Sequence, residues 1–206
     1  MEYYIHSVPV FVLDETVHEK VDIPEFCREA EEIVPPAMFR NVEVVYIGQF
    51  KELGSRNAAF SNGAVYMTSS EPTSFDMVEN LVHELAHSLE LSHGWDIYTD
   101  DLRQEFLGKR QALYRILTAE GYHINPRLYG FTEYNRLFDD FLANEVGYPT
   151  LVNLTMGLFV SPYGATSLQE YFANGFEKYF LEDPRRVEEI SPVLYEKIEK
   201  ILNEYT

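Results

Sequence analysis

Two imidazoles and a carboxylate stand within one short stretch, His83-Glu84-Leu85-Ala86-His87. Histidines four apart fall one turn from each other on the same face of a helix, so both rings can reach a single metal ion. The glutamate directly after the first histidine then stands beside that ion, where it can take a proton from water. The pattern points to one Zn2+ ion, ligated by His83 and His87, with Glu84 as the general base of a metal-assisted hydrolysis.

Two histidines do not complete such a site. A catalytic zinc takes three protein ligands and keeps a fourth position open for water. Cys27, His93 and Glu170 are the candidates for the third. Cys27 would give the ligand set of a peptide deformylase, but its surroundings, E-F-C-R-E-A, lack the glycine-rich context of that family. His93 stands at the spacing of the metzincin pattern H-E-x-x-H-x-x-G-x-x-H, in which the glycine lets the chain turn back to the metal. Here that position is Glu90. A continuing helix carries residue 93 about 15 Å along its axis from residue 83, out of reach of the same ion. The other reading of His93 is a C-terminal histidine before a helix-stopping Gly94. Glu170 lies in a later helical stretch, and spacing alone leaves it open between a ligand and a solvent-facing helix residue.

Around Glu170 the chain reads Glu170-Tyr171-Phe172-Ala173, with Tyr163-Gly164 seven residues before the glutamate. These residues, together with 83–87, resemble the catalytic domain of anthrax lethal factor and its smaller relatives, including the Pro-Pro endopeptidases. The resemblance is carried by two blocks, 83–87 and 163–176, and is only general elsewhere. It implies a zincin-like α+β fold, a zinc metalloendopeptidase with His83, His87 and Glu170 on the metal, and Tyr163 supplying a phenol to the reaction. It also implies a polypeptide substrate bound as an extended strand. The chain departs from the family in having more helix between the blocks and in carrying Asn174 where an acidic residue is often found. Two further readings are a lethal-factor-like module that binds without cutting, and a divergent metzincin-like peptidase with His93 as third ligand and Met156 under the metal.

The helix that must hold the two histidines is well signalled. Phe75, Val78, Val82, Leu85 and Leu89 recur at helical spacing, and Thr73 with Asp76 reads as a capping box. Asn62-Gly63 is a turn signal, followed by a short strand at 64–68, whose free backbone edge could pair with an extended peptide. Upstream, 3–13 reads as a strand, with Pro9 favouring an edge or a bulge. Residues 23–34 read as a helix between Pro24 and Pro35, 41–48 as the clearest strand, and 49–60 as a polar connection. Downstream the chain turns almost wholly helical: 99–120, then 132–146, then 166–181. A last helix starts at Ser191-Pro192, with Leu194, Ile198, Ile201 and Tyr205 on one face. Residues 150–160 are apolar and fit no single state. The organisation expected is one domain over 1–206, with a sheet-containing lobe to about residue 94 and a helical lobe beyond.

Composition narrows the partners. A hydrophobic content of 46% argues for a packed globular chain. A net charge of -18 argues against a phosphate backbone or an anionic membrane surface as ligand, since both are bound through clustered Lys and Arg. No stretch reaches the ~18 apolar residues of a membrane span. The single cysteine, Cys27, excludes an internal disulfide and reads as a small core side chain. Met1-Glu2-Tyr3-Tyr4-Ile5-His6 has no basic region ahead of an apolar one. The expectation is a protein acting in the cytoplasm, or a secreted one whose signal was removed ahead of this numbering.

Overall fold

Alternation in the first half and 3.6-residue periodicity in the second separate the chain into two kinds of structure. The structure, a computed structural model, describes residues 2–54 and 56–204. Two compact units result, Met1–Ser92 and His93–Thr206. The fold class is α+β, with a mixed sheet in the first unit and a helical C-terminal half.

In the first unit five strands, β1 (Tyr3–Ile5), β2 (Val8–Val12), β3 (Val44–Gly48), β4 (Ala58–Ser61) and β5 (Ala64–Thr68), form one sheet in the order β1-β2-β3-β5-β4. The central pairs β2/β3 and β3/β5 are parallel; the outer pairs are antiparallel. The stretch 3–13 is therefore not one strand but a hairpin. Pro9 pairs with Tyr4 of β1 only, because the parallel pairing to β3 starts at Val10. A residue without an N–H is tolerated there because no second ladder needs it.

Side chains alternate across the sheet as strand geometry requires. Val10, Val45, Ile47, Val65 and Met67 are buried, while Phe11, Tyr46 and Tyr66 make a stacked row on the other face. Helix α1 (Ile23–Ile33) starts where Asp22 accepts the Glu25 N–H, and it buries Ile23, Phe26, Cys27 and Ala30. Burial, and after it the charge of Glu31, pushes the Cys27 thiol up to about 12, which fits a core side chain rather than a metal ligand.

The expected polar connection at 49–60 instead contains β4. Asn62 and Gly63 both take positive φ, the geometry of a tight two-residue hairpin turn, and this folds 58–61 back onto β5. Strand β5 is consequently flanked on both sides, and the free edge expected of it belongs to β4. Helix α2 (Ser74–Ile97) begins as read: Thr73 Oγ1 accepts the Asp76 N–H at 3.1 Å and donates to the Asp76 carboxylate at 2.6 Å. Val78, Val82, Leu85 and Leu89 are buried, but Phe75 in the first turn is 46% exposed. Gly94 does not stop α2, which runs on to Ile97.

The second unit consists of α3 (Asp100–Ala119), α4 (Arg136–Asp140), α5 (Tyr148–Leu154), α6 (Leu168–Leu181), α7 (Pro184–Ile190) and α8 (Pro192–Asn203). The stretch 132–146 divides into α4 and a π-helical turn, Phe141–Val146. Within 150–160 the helical part is the end of α5. Helix α7 adds an element that the sequence patterns above do not mark. Leu194, Ile198 and Ile201 of α8 are buried as expected, and Tyr205 lies outside the described residues. At Gly175 of α6 a Cβ would stand 2.3 Å from a methyl of Leu194, so only glycine lets α6 and α8 approach this closely. Among the described residues no helix is long and apolar enough to cross a membrane.

Candidate metal centre

Helix α2 sets His83 and His87 one turn apart, with their ring centroids 5.0 Å from each other. Both rings are partly exposed, while Glu84, next to His83 in the chain, is 9% exposed. Two further bonds fix side chains on this helix. Glu84 Oε2 accepts the backbone N–H of Phe60 at 2.7 Å, and His87 Nδ1 lies 2.8 Å from Glu90 Oε1. On the same helix Asn41 Nδ2 donates to the Ser88 carbonyl at 2.9 Å and to Ser92 Oγ at 2.8 Å.

The Phe60 contact follows from strand register. Thr68 N–H bonds to the Asn57 carbonyl, so Asn57, Ala59 and Ser61 turn their main-chain groups toward β5. Ala58 and Phe60 turn theirs toward the free edge. The amide of Phe60 thus meets Glu84, a contact for which no side-chain pattern gives a signal.

In the second unit Ser167 caps α6, its Oγ accepting the Glu170 N–H at 3.1 Å, which puts Glu170 in the first turn. Tyr163 belongs to the short 3-10 turn Pro162–Ala165. A Cβ at Gly164 would lie 3.6 Å from the Tyr171 Cα and 3.7 Å from the Glu170 carbonyl oxygen, so this turn rests directly on the first turns of α6. Burial, followed by the charge of Glu170, raises the Tyr163 phenol above its ordinary range and keeps it a donor. Tyr148, whose ring centroid is 6.4 Å from that of Tyr163, is raised in the same direction by burial and by Asp139.

Arg110 of α3 is a residue that motif reading passed over. It is 1% exposed and donates to the Ala165 carbonyl at 2.6 Å and to the Leu128 carbonyl, with its guanidinium carbon 3.9 Å above the Phe138 ring. It thereby holds the chain between Tyr163 and the cap of α6. Burial lowers its pKa to about 10, and the guanidinium remains charged at neutral pH. Its signal was present in the sequence: Leu102, Phe106, Arg110, Leu113 and Leu117 fall on one helical stripe, and an arginine in such a row must find buried acceptors.

One ligand atom from each of His83, His87 and Glu170 lies within 4.8 Å of the other two. Three donors of this kind can hold a divalent metal. His93 is not among them: it is 4% exposed, and its Nε2 lies 3.3 Å from Glu204 Oε2. It is a buried residue of a continuing helix, not a terminal one. No family model, curated protein or solved structure matches the chain.

Proposed function

We propose that the chain is a zinc-dependent metalloendopeptidase of the lethal-factor-like kind. The observation that carries this reading is the grouping of Glu170 with His83 and His87, the two histidines of an H-E-x-x-H helix whose Glu84 is held by a main-chain donor. When bound by these three residues, zinc acts as a Lewis acid on the scissile carbonyl and lowers the pKa of water toward ~7.

The remaining chemistry belongs to side chains. Glu84 takes the proton of the attacking water and hands it to the leaving amine. The Phe60 amide engages one carboxylate oxygen of Glu84, so proton transfer falls to the other. Tyr163, kept protonated, donates a hydrogen bond to the carbonyl oxygen as charge develops on it. The outward main-chain groups of β4 suit an extended peptide, which would add to the sheet beside Ala58.

The test is metal analysis combined with digestion of a peptide library. Purified protein is expected to carry or take up about one equivalent of zinc and to cut peptide bonds in a chelator-sensitive way. Failure to take up zinc on titration overturns the reading; zinc uptake without cleavage favours a binding module. Tyr163→Phe is expected to lower turnover about a hundredfold, the scale of one oxyanion donor, with unchanged zinc content. Turnover equal to wild type would leave Tyr163 as a turn residue only.

A further inference from the structure

A ligating imidazole has two nitrogens, and only the one without a proton can bind a metal. In neutral histidine the choice between them is set by the hydrogen bond the other nitrogen makes. For His87 that partner is visible: Nδ1 lies 2.8 Å from Glu90 Oε1. A carboxylate accepts and does not donate, so Nδ1 carries the proton and Nε2 presents the lone pair.

Helical spacing explains the pairing. Residues three apart share a face, so Glu90 lies one turn beyond His87 and reaches back along it. The side chains of His87 and Glu90 are 22% and 15% exposed, and at this depth the bond is weakened by water less than a surface pair is. On α6 the amide of Asn174, 4% exposed, is spent within its own helix, donating to the Glu170 carbonyl at 2.8 Å. The carboxylate partner of His87 comes from its own helix, α2.

We propose that Glu90 is the positioning residue of this metal centre, holding His87 in the Nδ1-protonated form and fixing the ring so that Nε2 faces the ion. The role rests on the metal reading above. Glu90 occupies the very position where a glycine would let the helix break. The same residue thus keeps α2 continuous through position 90 and orients a ligand carried one turn earlier.

The experiment compares wild type, Glu90→Ala and Glu90→Gln in two measurements. The first is the tautomer of His87, read from imidazole nitrogen and proton shifts of the metal-free protein at a pH where histidine is neutral. The second is zinc affinity, read by competition with a chromophoric chelator of known affinity. Wild-type His87 is expected to be protonated at Nδ1, with a shift toward Nε2 protonation in Glu90→Ala. Zinc affinity of Glu90→Ala should fall about 10- to 100-fold, the usual effect of removing the partner of a ligating histidine.

Glu90→Gln keeps an acceptor oxygen of the same reach. It is expected to retain the tautomer and lose less affinity, and it carries the test if the alanine variant unfolds. Equal zinc affinity in all three proteins overturns the proposal, and so does weaker binding without a change of tautomer, because a distant charge effect would do the same. Failure of wild type itself to bind zinc overturns the metal reading. A wild type that binds zinc while Glu90→Ala matches it overturns only the role of Glu90.

Discussion

Turnover of Glu84→Gln is expected to fall by roughly 10²- to 10⁴-fold, the range of one general acid–base catalyst, with zinc content at the wild-type level. Glu84 is not one of the three residues grouped as possible metal donors, so its replacement leaves all three in place. The amide of glutamine still offers an oxygen to the Phe60 N–H, which Glu84 Oε2 now accepts at 2.7 Å. The side chain keeps its place and loses only its basicity. Metal analysis and single-substrate kinetics on the same preparation check both halves. Loss of zinc from this variant would make Glu84 a ligand, and undiminished turnover would remove it from the reaction.

Glu170→Ala is expected to lose zinc at dilute metal, because two protein ligands bind far more weakly than three. The comparison that gives this result meaning is His93→Ala. His93 is buried beside Glu204, so its removal should lower thermal stability while leaving zinc content unchanged. Competition with a chelator, together with thermal unfolding in excess chelator, separates the two effects. The opposite pattern, zinc kept without Glu170 and lost without His93, would place the third ligand on α2 itself and overturn the assignment.

Legibility in the sequence followed the range of the interaction. Helix α2 could be read because its signals are local: the Thr73/Asp76 cap, apolar residues one turn apart, and histidines four apart. Where the reading of α2 failed, tertiary packing prevailed. Phe75 fits the periodicity but lies in the first turn and is exposed, and Gly94 is carried inside the helix despite its low propensity.

Strand β4 was missed because Ala58-Ala59-Phe60-Ser61 has little strand propensity of its own and forms by pairing across the Asn62-Gly63 turn. Helix α7 has the cap residue Asp183 and Pro184 at its first position, but it is one short stretch with a single buried side chain, Val187. The pairing of Glu170 with the two histidines depends on residues far apart in the chain. No periodicity encodes it, and the resemblance of the Glu170 block is what suggests it.

The tie between Phe60 and Glu84 places an unusual demand on the hairpin that supplies it. Because the donor is main chain, most exchanges of the side chain at position 60 leave the bond intact, and only proline deletes the hydrogen itself. Length is another matter. Main-chain direction alternates residue by residue along a strand, so adding or removing one residue in the turn at Asn62-Gly63 would turn the amide of Phe60 toward β5 and aim a neighbour at the carboxylate. Surface turns usually accept insertions and deletions readily. Position 60 should tolerate drift in its side chain, while this turn, already held to residues that accept positive φ, should resist any change in length.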